Sequence, residues 1–293
     1  MIMNKIIKHQ VAFILFSELL ILYIFLSKEN FINYYNVNPV IMLSFILIGS
    51  IGVSHGAMDG KVIWQSSKNF SIRLRILIIY LSLILIGLMI WYVLPLLGLF
   101  LLIFMSVFHF AESDLFFAND LNLFAKLSWG LSVTLLPIVF HPAEVIDIFN
   151  LLTQSNLPLH FASYISVLIL LSSTFYICVS IVNLKNRSEI VLSIFELLTL
   201  ILLATFVHPV TWFAIYFCGL HGIRALIRNN FKLKNDVFWL AGFTIPVIIF
   251  LLYFLQNNHF NLPNNMLIIF PTLASLTIAH MCLKKILLIV KNY

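Results

Sequence analysis

The sequence predicts an all-α protein, a polytopic transmembrane helical bundle of about ten spans with both termini cytoplasmic. Three observations predict it. The 293 residues are 62% hydrophobic and 10% charged, with a mean hydropathy of +1.06, whereas a soluble domain is nearer half apolar and a quarter charged. Apolar runs of about 20 residues, the length that crosses a bilayer, recur along the whole chain. The basic residues also alternate with those runs as a membrane topology requires.

Taken in order, the first run, 9–27, follows Lys5 and Lys8 as a signal peptide would. No small-residue cleavage site comes after it, so it reads as an uncleaved first helix. The second, 38–58, closes on Ser54-His55-Gly56-Ala57-Met58-Asp59. The third and fourth, 74–94 and 96–112, are joined by a very short turn around Pro95. The fifth and sixth are 124–140 and 160–183. The seventh and eighth, 189–207 and 209–227, meet at Pro209, and 237–255 and 266–289 complete the set. If one closely joined pair is re-entrant, the count drops to eight or nine. No linker rich in Pro, Gly or Ser divides the chain and no internal repeat is found, so residues 1–293 read as a single integral membrane domain.

With both termini cytoplasmic, only Lys28 of the 17 Lys and Arg residues lies on the far side. That is a positive-inside distribution, and the protein is expected in the inner (plasma) membrane. The net charge of +6 is therefore a topology signal. It does not imply nucleic acid, because no basic stretch is interleaved with exposed aromatics. Cys178, Cys218 and Cys282 fall inside spans without metal-finger or disulfide spacing and read as small packing residues.

Topology also sorts the nine histidines. His141, His160, His208 and His259 fall at the outer side, and His9 precedes the first span. His55, His109, His221 and His280 lie near the cytoplasmic ends of spans 2, 4, 8 and 10, each soon followed by a charged residue: Asp59, Glu112, Arg224 and Lys284. At 1.5 Å per residue, all four sit roughly 5–9 Å inside the inner boundary. Neutral imidazole is the commonest transition-metal ligand, and ionisable residues inside spans mark functional sites by default. Four imidazoles at one depth could meet around one ion. The bland alternative is that each snorkels to the interface.

Asp59 and Glu112 share helix faces with His55 and His109. Carboxylates so placed would accept the second ring N–H and orient the imidazole. Glu196, about two turns into span 7, is a third orienting candidate. For Asp114 the competing reading is a helix-end marker, and for Glu18 an interhelical hydrogen bond.

Spacing excludes several chemistries. No histidines stand as H-x-x-H or H-x-x-x-H, and the zinc-protease H-E-x-x-H is absent. Every lysine lies at or beyond a span end, so no retinal Schiff base forms in mid-membrane. Phosphate-cradling glycine motifs are also missing. A mononuclear site of lone histidines remains, suited to iron, copper or zinc. A redox ion at lipid depth points to oxygen chemistry on a lipophilic substrate that enters from the bilayer.

Five ordered blocks carry a family resemblance: His55-Gly56-Ala57-Met58-Asp59; Phe108-His109-Phe110-Ala111-Glu112-Ser113-Asp114; Leu136-Pro137 through His141-Pro142-Ala143-Glu144; Tyr216-Phe217 through His221 and Arg224; and Ala279-His280-Met281. In these the chain resembles the Brp/Blh family of bacterial and archaeal membrane β-carotene 15,15′-dioxygenases. The resemblance implies an Fe(II) enzyme that adds O2 across the central double bond of β-carotene to give retinal, often for a microbial rhodopsin. It implies iron ligation by His55, His109 and His221. The family's fourth iron histidine, four residues after the third, is here Ala225, which cannot ligate; His280, water or a carboxylate would have to complete the site. Gly60 stands where the family usually has histidine, and Ser54 and Ala279 replace two prolines.

Two rival functions go with the same residues. One is a non-catalytic protein that binds or transfers carotenoid or retinal, with a degenerate metal site. The other is a proton-coupled transporter using Glu18, Glu196 and the histidines, against which the lack of paired repeats counts.

Overall fold

The computed structural model describes residues 2–27, 39–52, 54–183, 188–232, 234–242, 244–245, 249 and 262–291, without the side chains at 27, 39, 51–57, 262–265 and 291. Regular structure among the described residues is helical: α1 (Ile2–Ser27), α2 (Pro39–Leu47), α3 (Ser54–Gln65), α4 (Phe70–Val93), α5 (Pro95–Asp114), α6 (Leu123–Leu135), α7 (Pro137–Phe140), α8 (Pro142–Thr153), α9 (His160–Val182), α10 (Ser188–Phe206), α11 (Pro209–Ala214), α12 (Ile223–Arg228) and α13 (Leu262–Lys291). Two π-helical turns interrupt the series, Ile48–Gly52 after α2 and Ile215–Gly222 between α11 and α12.

Seven helices are long and apolar enough to cross a membrane by length and composition: Ile2–Leu26, Phe70–Val93, Pro95–Asp114, His160–Val182, Ser188–Phe206, Pro209–Arg228 and Met266–Val290. Each corresponds to one of the runs read from sequence. Two further runs are shorter as helices, Val40–Ser50 and Leu123–Leu135. The run 124–140 is cut because Pro137 offers no N–H to the helix ladder, although Leu136 before it keeps right-handed helical angles, φ −49° and ψ −40°. A new turn then starts with Pro137 at its first position. In the run 38–58, the α-helix gives way to the first π turn. The run 237–255 falls largely outside the described residues.

The chain forms two compact units that interleave in sequence: 1–48, 106–149 and 156–231 make the first, and 49–105, 150–155 and 232–293 the second. In the first unit, α1 packs on α10, α6 and α7 on α9, and α11 on α2. The buried residues of α10, Ile190, Ser193, Glu196, Leu197, Thr199, Leu200, Leu203 and Ala204, recur singly or as adjacent pairs every three or four positions and so share one face. Small hydroxyl residues stitch the neighbouring helices, as suits a medium where apolar contact gives no preference for protein over lipid. Ser173 donates to Ser132 at 2.9 Å, and the Tyr176 and Ser193 hydroxyls lie 2.6 Å apart. Asn122 starts α6 by accepting from the Ala125 N–H at 2.8 Å.

In the second unit, α4 packs along α13. Ile76, Tyr80, Gly87 and Trp91 form its buried face, while Leu85, Met89 and Tyr92 are exposed, as a lipid-facing surface would be. Ile63, Ala279, Leu283 and Ile286 close around Ile76 and Tyr80.

Two glycines of the first unit separate tight packing from loose packing. A Cβ on Gly130 would overlap the Val107 carbonyl oxygen, a backbone atom that cannot yield. One on Gly219 would meet only the Phe13 ring, at 3.5 Å. Gly130→Ala should therefore force α5 and α6 apart and cost about 1–3 kcal/mol or more. Gly219→Ala should change stability by less than about 1 kcal/mol. Thermal melting of the two variants in detergent tests the contrast; equal melting temperatures would refute it.

Candidate functional site

The chemically rich part of the first unit is built where the last turn of α5 meets the π turn between α11 and α12. His109, on α5, and His221, in the π turn, present their Nε2 atoms to each other at 3.1 Å. Their rings meet edge-on, with centroids 4.9 Å apart and planes at 66°. Both side chains are buried, His221 completely. The Phe217 ring stacks on His221 at 5.6 Å and Phe110 meets it edge-first at 4.8 Å.

The other nitrogen of His221, Nδ1, lies 2.7 Å from Asp114 Oδ1. Tyr216 donates its hydroxyl to Asp114 Oδ2 at 2.7 Å, and Trp129 its Nε1–H at 3.4 Å. Donors converging on one buried carboxyl suit a carboxylate, which only accepts. Nδ1 of His221 then carries the hydrogen and Nε2 the lone pair, aimed at His109. This is the arrangement by which a carboxylate orients a metal-binding imidazole.

Charge is balanced one helix turn further on. Arg224 is completely buried, pairs with Glu196 of α10, and donates Nη1–H to the Asp114 carbonyl at 3.0 Å. Gln10 of α1 donates to Glu196 Oε2 at 3.4 Å. The topology reading counted Arg224 as a charge at the cytoplasmic boundary. It is instead an interior cation held by an interior anion, because a lone charge at that depth would be too costly.

The second unit carries a chemically parallel device. Tyr80 donates its hydroxyl to Asp59 Oδ2 at 2.9 Å, and His280 Nδ1 lies 2.8 Å from both Asp59 oxygens. Asp59 is buried and the His280 side chain is 25% exposed. In both units, then, a tyrosine and a histidine Nδ1 hold one aspartate.

The residues singled out in the sequence are thus distributed as follows. His109 and His221 come together, Asp59 holds His280, and Glu196 pairs with Arg224. Glu112, expected to orient His109, is exposed. His55 lies on α3, shortly after the first π turn, and its side chain is outside the described residues. Asp114, Tyr216, Trp129 and Gln10 were not singled out as partners. Of these pairings, Glu196 with Arg224 had a usable signal, opposite charges in two adjacent apolar runs.

The donor set fits a metal ion in part. Two nitrogens each about 2.1 Å from one ion stand roughly 3.0–3.4 Å apart for angles between right-angled and tetrahedral. The His109–His221 separation falls in that range. Among the described residues no cluster of three or more His, Cys, Asp or Glu suited to a metal occurs.

The sequence profile described as beta-carotene 15,15′-dioxygenase matches residues 46–288. The chain belongs to the β-carotene 15,15′-dioxygenase family. It is also similar to a protein from uncultured marine bacterium 66A03 named beta-carotene 15,15′-dioxygenase. The two are 28% identical over 267 residues, covering 81% of this chain and 90% of that protein. No solved structure matches.

Elsewhere in this dioxygenase-family chain, His208 and His141 form a separate buried pair outside the long spans. His208 accepts the Val210 N–H at 3.2 Å and caps α11. His141 Nε2–H donates to the Ala204 carbonyl at 2.8 Å. Burial, and then the charge His141 would carry, hold His208 down at about 4 from the usual 6.5. Burial also lowers His141. With its folded value below its unfolded one, His208 contributes stability that is intact above pH 6.5. That stability is lost as pH falls toward 4, where the unfolded chain binds the extra proton. The protein should lose on the order of 2–3 kcal/mol over that interval. His208→Asn keeps a capping acceptor and should flatten the acid limb of melting temperature against pH. An unchanged limb would refute the assignment.

Proposed function

We propose that this protein is an Fe(II)-dependent dioxygenase of the inner membrane that cleaves β-carotene, or a closely related carotenoid, at its central 15,15′ double bond. One atom of O2 goes to each new aldehyde, so one β-carotene gives two retinals. The observation that carries the reading is the His109–His221 pair, with Nε2 atoms 3.1 Å apart and the far nitrogen of His221 on a buried aspartate. It lies within the residues that match the dioxygenase family, and the name of the marine relative supports the same activity.

In this reading His55, His109 and His221 hold the iron. His280 is the candidate for the ligand position lost to Ala225, and its Asp59–Tyr80 support, chemically like that of His221, favours that choice. Bound iron would supply the activation of dioxygen. The protein's own groups do the rest. Asp114 fixes the tautomer of His221, with Tyr216 and Trp129 holding the carboxylate still. Phe110 and Phe217 screen the imidazole from water. Glu196 cancels the charge of Arg224. An extended polyene is about as long as the ~30 Å hydrocarbon layer and would enter from the lipid. Ten spans with cytoplasmic termini complete the topology, and the retinal formed would suit a microbial rhodopsin.

Expression in bacteria that accumulate β-carotene tests the reading. The orange colour should fade as retinal appears, and purified protein should carry about one iron per chain. His109→Ala should abolish retinal formation, and Asp114→Asn should weaken iron affinity about 10- to 100-fold. Persistent colour with iron-free protein would favour a carotenoid-binding protein without catalysis. Cleavage that survives His109→Ala would remove the ligand assignment.

A further inference from the structure

The family match begins at residue 46, yet α1, which lies ahead of it, reaches the turn that carries His221. His9 places Nε2 at 2.9 Å from the carbonyl oxygen of Gly219. A carbonyl only accepts, so Nε2 carries the hydrogen. The other nitrogen, Nδ1, is buried and has no hydrogen-bond partner among the described residues. The tautomer of His9 is therefore set by Gly219 alone.

Gly219 lies inside the π turn Ile215–Gly222, two residues before His221. A π turn departs from the i→i−4 ladder. In an apolar medium, the backbone groups it frees must be satisfied by neighbouring side chains. His9 donates to one carbonyl of this turn. On the other side of His221, Gln10 donates to Glu196 Oε2, and Glu196 pairs with Arg224. Successive residues of α1 thus reach the His221 turn directly, through His9, and the Arg224 ion pair indirectly, through Gln10 and Glu196.

We propose that His9 is a positioning residue for His221, acting through the hydrogen bond from its Nε2 to the Gly219 carbonyl. The bond holds the π turn in shape and so fixes where the His221 ring points. The consequence for metal binding rests on the ligand role given to His221 under the proposed function; the effect on the turn does not.

The full chain in detergent serves for the test, as His9→Leu and His9→Gln beside the parent. Leucine fills an apolar helix without a donor, while glutamine offers an N–H near the position of Nε2. Amide hydrogen exchange over residues 215–222 is measured without metal. Co(II) affinity is then measured from the visible absorption of the bound ion. His9→Leu should speed exchange in the turn about tenfold and weaken Co(II) binding about tenfold. His9→Gln should stay within about twofold of the parent in both. Parent-like exchange in His9→Leu would overturn the proposal, as would His9→Gln failing in the same way as His9→Leu. Faster exchange with unchanged cobalt affinity would overturn the positioning of His221. A parent that takes up no Co(II) would sink the metal reading instead, and the exchange arm alone would then decide whether His9 holds the turn.

Discussion

A charge taken into lipid must find an opposite charge or a set of donors, and that requirement organises the first unit. Arg224, Glu196, Asp114 and His221 are all completely buried. Each is answered: Arg224 by Glu196 and the Asp114 carbonyl, and Asp114 by His221, Tyr216 and Trp129. Replacing a buried ion pair with apolar residues is often neutral for stability, whereas removing one partner costs about 3–5 kcal/mol. The network is thus better explained by the geometry it enforces than by any net stabilisation. It couples α5, α10 and the π turn through groups that cannot move independently without leaving a charge exposed to hydrocarbon.

The orienting role passes between helices. On α5, Glu112 shares a face with His109, but it is exposed, and the carboxylate that acts is Asp114, on a histidine from a different helix. On α3, Asp59 shares a face with His55 and bonds His280 of α13. Bonds of this kind hold a pair of helices together as well as a ring. They tie the position of each imidazole to the packing of its unit and leave it insensitive to the fraying of a single helix end.

Much of the architecture was legible in the sequence because its cause is local. Apolar length alone marks the long helices, and Pro95 and Pro209 mark where one ends and the next begins, whereas the break at Pro137 fell inside a run read as one span. His109 and His221 stood out because polar tetrads are costly inside apolar runs. The pairing Asp114–His221 was not legible, since it joins residues whose proximity is set by helix packing. Arg224 was misread for a related reason: a cation near a span end looks the same whether it faces water or a buried glutamate. The π turns are rich in glycine, with Gly49 and Gly52 in the first and Gly219 and Gly222 in the second, but glycine alone does not distinguish a wide turn from a kink or a helix end. The geometry of Ile215–Gly222 is held by contacts from α1 and α2, including His9 on Gly219 and Cys218 on the Leu47 carbonyl.

The wide turn also constrains how this segment can vary over time. An α-helix advances about 100° and 1.5 Å per residue, and a π turn is in effect one residue more than the α ladder needs. Excising a single amino acid between Trp212, anchored on the Leu200 carbonyl, and His221 would let the segment relax to ordinary helix. The flanking helices would keep their register, because the residue removed is the one the wide turn absorbs, and the π geometry around His221 would be lost. Lineages could therefore shed the wide turn by shortening this stretch, and not by exchanging side chains along it.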